Sequence, residues 1–139
     1  MADVVVLVED QITEDERSAI IVPLGEFSAA RGFEYRPNPI TLSLREGDRI
    51  VGGLIGHTNW EWLFIEVLSV ATHLRSRGYG KLLMEKAEAI ARTRGCVGAW
   101  VDTYTFQSPG FYERLGYHIF GTLPHYPGAE QRIFLTKML

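Results

Sequence analysis

The sequence predicts an α/β fold, with a mixed, mostly antiparallel sheet of about seven strands flanked by about four helices. Three observations carry that expectation. Two alternating apolar segments, 40–45 and 49–56, flank Glu46-Gly47-Asp48 and read as an antiparallel hairpin. Residues 78–94 carry the 3.6-residue apolar period of an amphipathic helix. The elements run strand, two helices, three strands, helix, strand, helix, two strands, and the hairpins within that order argue against a doubly wound parallel sheet.

The first strand is expected at 3–8, a β-branched run of Asp-Val-Val-Val-Leu-Val. Thr13 followed by Glu16 is a helix-start signal, and the helix should reach Val22, where Pro23 breaks it. A second short helix is expected from Leu24 to Arg31, closed by Gly32. Pro37 and Pro39 mark a loop before the hairpin. The stretch from Trp60 to Val70 is long for one strand and leaves room for a bulge. In the 78–94 helix Leu83, Ala87, Ile90 and Ala91 share one face; Lys81, Glu85, Glu88 and Arg92 share the other, and Gly95 caps the end. A strand at 99–105, a short helix at 109–115 and strands at 117–122 and 132–137 complete the chain.

Composition excludes several classes. With 139 residues, 46% hydrophobic and 22% charged, the chain suits one globular domain spanning 1–139 and is neither disordered nor collagen-like. Its longest apolar runs are too short to span a bilayer. Met1-Ala2-Asp3 lacks the basic-then-apolar pattern of a signal peptide, so the cytoplasm is the expected compartment. One cysteine, Cys96, allows no internal disulfide and no cysteine cluster for a metal. His57, His73, His118 and His125 have no paired ligand spacing, so no metal site is expected. Fourteen Lys plus Arg against seventeen Asp plus Glu leave a charge of −3, a poor match to nucleic acid.

The chemistry concentrates in 68–83, where a strand runs into a loop with Arg75, Arg77, Gly78 and Gly80 that opens into the amphipathic helix. Glycines admit close approach of a ligand to the backbone, and the first helical N–H groups have no intrahelical partner. Those donors, the helix dipole and two guanidiniums suit a phosphate or pyrophosphate, unless the glycines only permit a tight turn. A dinucleotide fingerprint needs glycine where Leu83 stands, and a P-loop needs Ser or Thr where Leu82 stands, so both are excluded.

Arg75-x-x-Gly78-x-Gly80, preceded by Leu68-x-Val70, resembles the acyl-CoA signature of the GNAT N-acetyltransferase superfamily. Phe111-Tyr112-Glu113-Arg114-Leu115-Gly116-Tyr117 is similar to the family's Phe-Tyr-x-x-x-Gly-Phe/Tyr motif. Between them, 102–109 (Asp-Thr-Tyr-Thr-Phe-Gln-Ser-Pro) resembles a stretch of one small bacterial subgroup. The resemblance covers nearly the whole chain and implies a GNAT-like sheet that binds acetyl-CoA as co-substrate. It implies that the backbone of Leu68, Ser69 and Val70 holds the pantetheine arm. Backbone amides of Arg75, Ser76, Arg77, Gly78, Tyr79, Gly80 and Lys81 would hold the pyrophosphate, with neither arginine forming a side-chain salt bridge. Tyr112 would protonate the departing thiolate, and Phe111 would pack under the cofactor or into the core. A backbone N–H near Val70 would stabilise the oxyanion. Many relatives carry Asn on the strand before the Phe-Tyr helix; here Thr105 stands there, with Gln107 as a substitute contact.

An amine acceptor is protonated at neutral pH and must lose its proton. Glu66, with the strand parity of Leu68 and Val70, is the first candidate base, ahead of His73 and His125. Cys96, with no histidine or acid beside it, reads as a core filler rather than an acyl carrier. The resemblance thus implies an N-acetyltransferase in which a primary amine attacks acetyl-CoA directly in a ternary complex. The rival reading is a catalytically silent acyl-CoA-binding sensor or regulatory module. The acceptor is a small-molecule or protein amine. Acceptor specificity is expected from residues 13–39, from Trp60 and Trp62 and from the loop Pro124-His125-Tyr126-Pro127-Gly128, whose aromatics line an acceptor pocket or else pack the sheet or a homodimer interface.

Overall fold

The computed structural model describes residues 2–139 and divides the chain into two compact units, one ending at Tyr35 and one spanning Arg36–Leu139. In the first unit the expected strand at 3–8 is absent: the backbone there is irregular, and Val4, Val6 and Val8 are exposed. β-branched composition favours a strand only where a ladder receives it. Helix α1 (Glu14–Ala29) begins at the predicted capping box: Glu16 N–H donates to Thr13 Oγ1 at 3.1 Å, and Thr13 N–H donates to Glu16 Oε1 at 2.9 Å. The expected break at Pro23 does not occur, and one helix replaces two. Proline removes a single backbone donor and can bend a helix without ending it.

The second unit is a six-stranded sheet among the described residues, ordered β1-β2-β3-β4-β6-β5. Its strands are β1 (Asn38–Glu46), β2 (Arg49–Asn59), β3 (Trp62–Val70), β4 (Gly98–Tyr104), β5 (His118–Pro124) and β6 (Gln131–Met138). Helices α2 (Tyr79–Thr93) and α3 (Pro109–Arg114) lie between strands, with a 3₁₀ turn at Thr72–Leu74. The sheet is antiparallel except at β3–β4, which α2 connects as a parallel pair. Trp60 and Glu61 do not extend β3; they form the two-residue turn between β2 and β3, both at positive φ, as hairpin twist requires.

Leu54, Leu63, Ile65, Ala99, Val101 and Leu135 line the inner face of the sheet and pack on Leu83, Met84, Ala87 and Ala91 of α2. One residue breaks the expected face of α2. Glu88 is buried, where its carboxylate accepts hydrogen bonds from Tyr117 Oη at 2.8 Å and Lys137 Nζ at 2.9 Å. A charge tolerates such burial only when partnered in this way.

Two irregularities in β3 position the site. A bulge falls at Glu66, because Ile65 pairs with Gly56 while Val67 pairs with Ile55. Ile65 and Leu68 therefore both face α2, and the extra residue Glu66 falls with Val67 on the outer face. The expected parity of Glu66 with Leu68 and Val70 is thus overturned. The parallel ladder also stops early: β3 pairs with β4 only from Trp62 to Ile65, opposite Gly98 to Val101. Beyond that point β3 continues to Val70 and β4 to Tyr104 without pairing to each other.

Candidate active site

The fork between β3 and β4 opens into a cleft of about 600 Å³ on the α2 side of the sheet. Leu68, Ser69 and Val70 form one wall, at the edge of β3 that no longer has a partner in β4. Unpaired strand edges present backbone N–H and C=O groups that can pair with an extended ligand. Arg75, Ser76, Gly78, Tyr79 and Gly80 form the floor. Ser76 and Gly78 are left-handed, at φ 62° and 85°, and Gly78 is the N-cap of α2 with no side chain capping that end. The first N–H groups of α2 are therefore uncapped by any side chain, an arrangement suited to an anion.

The remaining wall comes from α3 and the segment before it, with Gln107, Phe111 and Tyr112 facing the loop. Gly80 lets the Phe111 ring close in, since a Cβ there would lie 3.1 Å from it and the ring would have to give by a few tenths of an ångström. Phe111 meets Tyr112 edge-on at 5.1 Å between centroids, and Tyr112 meets Tyr117 at 6.1 Å. Tyr112 is 9% exposed. Burial, reinforced by the negative charge of Asp102, pushes its phenol up to about 12. Gln107 is pinned through its carbonyl oxygen, which accepts from Thr103 Oγ1 at 2.8 Å and from the Tyr104 N–H at 3.3 Å. The backbone donor fixes which end of the amide is oxygen, so Nε2 is the end left for a ligand.

Not every expected residue reaches the cleft. Arg77 and Lys81 are exposed outside its lining, and Lys81 pairs with Glu85 at 3.8 Å. Glu66 is exposed on the outer face, at the mouth of the fork rather than within it. Arg75 lines the cleft, but its Nε donates to Val70 O at 3.1 Å, strapping the loop to the end of β3. Thr105 turns away to β6: its N–H donates to Gln131 O at 3.0 Å and its hydroxyl bonds Glu130. His73 lies 3.3 Å from the Glu46 carboxylate, and Cys96 is buried with its thiol pushed up by desolvation. Leu74, Thr103, Phe106, Ser108 and Arg114 line the cleft without having been foreseen. Thr103 was available from the period-two alternation of β4 through Ala99 and Val101; Arg114 had no signal beyond its charge. Among the described residues no group of three or more His, Cys, Asp or Glu gathers as a metal site, and no helix is long and apolar enough to cross a membrane.

Residues 9–117 match the family model of the acetyltransferase (GNAT) family. The chain belongs to the GNAT acetyltransferases. It is 38% identical over 132 residues to blasticidin-S acetyltransferase of Streptomyces morookaense, covering 93% of this chain and 95% of that protein. A crystal structure of a provisionally assigned acetyltransferase from Agrobacterium tumefaciens superposes with a TM-score of 0.90 at 30% identity, covering 98% and 100% of the two chains. An aminoglycoside 6′-N-acetyltransferase complexed with coenzyme A shares the fold, with a TM-score of 0.65 at 21% identity over 89% of each chain. For this GNAT chain the match confirms the expected fold class and the expected acetyltransferase activity.

Proposed function

We propose that this GNAT enzyme transfers the acetyl group of acetyl-CoA to a primary amine of a small molecule, by direct attack while both substrates are bound. The observation that carries the reading is the parting of β3 from β4 beside the glycine loop, with Tyr112 of α3 in the cleft wall. The unpaired edge at Leu68–Val70 takes the amide groups of the pantetheine arm as an added strand would. Backbone N–H groups from Arg75 to Lys81 take the pyrophosphate at the start of α2, and Gln107 Nε2 donates to the arm from the opposite wall. A backbone N–H near Val70 holds the carbonyl oxygen as it gains charge. The names of the relatives support a small-molecule acceptor over a protein amine: one is named for blasticidin-S, another for aminoglycosides.

The amine enters from the outer face, where Glu66 is the first β3 residue beyond the last β3–β4 pair. Glu66 accepts the amine's proton, directly or through water. The neutral nitrogen forms its bond to the thioester carbonyl carbon and sheds its second proton to water, the carbon–sulfur bond breaks, and the sulfur takes a proton from Tyr112, which regains one from solvent. A phenol pushed up to about 12 keeps its proton at neutral pH.

Calorimetric titration with acetyl-CoA, with ATP as control, tests the cofactor first. Micromolar binding of acetyl-CoA with much weaker ATP is expected; no acetyl-CoA binding near 1 mM, a free energy of only about −4 kcal/mol, would overturn the reading. Thiol release with a panel of small primary amines then tests the transfer.

A further inference from the structure

The outer face of the sheet carries a structure that the cofactor cleft does not use. On β4, Trp100, Asp102 and Tyr104 point away from α2, and on β6 so do Arg132 and Phe134. Tyr104 lies at the centre of a ring stack. Phe106 stacks on it at 5.1 Å and 19°, and Tyr126 at 5.9 Å and 10°. Arg132 braces the stack, its guanidinium 5.9 Å from the Tyr104 centroid and 5.6 Å from that of Tyr126. Arg132 is itself fixed, with Nε and Nη2 each 2.9 Å from one oxygen of Asp102. That leaves the other carboxylate oxygen of Asp102 beside the fork. Phe106 is 57% exposed and Tyr126 41%, so the outer rings of the stack are open to solvent.

Position makes the stack more than a surface ornament. Phe106 also lines the cleft, so the stack begins at the cleft and continues on the outer face. Asp102 and Tyr104 are the first outward β4 residues beyond the last β3–β4 pair, as Glu66 is on β3. An amine held at Glu66 therefore has its remaining structure laid toward the rings. Parallel, braced aromatic faces bind planar π-systems better than saturated groups of equal bulk, because offset stacking adds to area burial.

We propose that Phe106, Tyr104 and Tyr126 form the acceptor-recognition platform, and that the preferred acceptors are primary amines carrying a planar unsaturated ring a few bonds from the nitrogen. The proposal rests on the acetyl-transfer reading above and adds the acceptor class and the residues that select it.

Two amines of equal carbon count test it: 2-phenylethylamine and 2-cyclohexylethylamine, which differ in ring planarity. With acetyl-CoA binding first established by calorimetry, the phenyl compound is expected to have a kcat/KM about fivefold higher, with the difference in KM. Tyr126→Leu and Phe106→Leu, which keep apolar bulk and lose the flat face, each bring the two amines within about twofold. Equal wild-type kcat/KM, or variants that slow both amines alike, overturn the proposal. If neither amine is turned over, their binding to the CoA-saturated protein is compared, and no preference for the phenyl compound overturns it as well. Failure to bind acetyl-CoA at all would instead remove the underlying reading.

Discussion

A phenol that is protonated at neutral pH is useful beside a sulfur about to become an anion, and burial of Tyr112 extends that state to higher pH. Tyr112→Phe keeps the ring contacts with Phe111 and Tyr117 and removes only the donor. Thiol release is expected to fall about 100-fold, with the calorimetric Kd for acetyl-CoA unchanged. Full activity in the variant would leave proton delivery to water. Arg114 differs in kind: it brings a cation to the cleft wall. Arg114→Ala should weaken acetyl-CoA binding about tenfold, the order expected for one charge-assisted hydrogen bond to phosphate. The loss should shrink as salt is raised in the same titration. Tyr112 was legible because it sits in a motif. Arg114 occupies a variable position of that motif, and only the fold shows which way it points.

Among the elements, α2 joins stability to function. Its N-cap Gly78 at φ 85° suits a residue without Cβ, and an alanine there is strained by about 1–2 kcal/mol. Gly78→Ala should therefore lower the urea midpoint and the affinity for acetyl-CoA together. Further along, Glu88 fastens α2 to Tyr117 beyond α3 and to Lys137 on β6. Glu88→Ala strands a buried hydroxyl and a partly buried ammonium, and should reduce unfolding free energy by about 3 kcal/mol in denaturant titration. The amphipathic period of α2 and the hairpin of β1 and β2 were readable because local pattern and tertiary packing agree there. The valines at 4–8 and Pro23 misled for the opposite reason: propensity names a preference, and pairing or helix continuity decides the outcome. The bulge was foreseeable from the length of its segment, but its position was not. Parity counted across Glu66 consequently put that carboxylate on the wrong face.

At the scale of the whole molecule, the buried tyrosines set an alkaline limit. The fold raises Tyr112 from the ordinary value near 10 to about 12 and raises Tyr117 as well. Their neutral forms are the ones the fold prefers, so this contribution is complete below pH 10 and is lost as pH rises toward 12. Denaturant midpoints at pH 9 and pH 11.5 should show a larger fall for the wild type than for Tyr112→Phe. The bulge in β3 has a consequence of another sort. Ile65 and Leu68 already share the inner face, so excising Glu66 would leave every other β3 side chain on its present side of the sheet and would merely straighten the strand. A one-codon deletion in the middle of a core strand should thus spare folding while allowing β3 to run alongside β4. Variants that replace Glu66 would keep the fork, and a library of single deletions would find here a gap in the gene that the fold accepts and the chemistry does not.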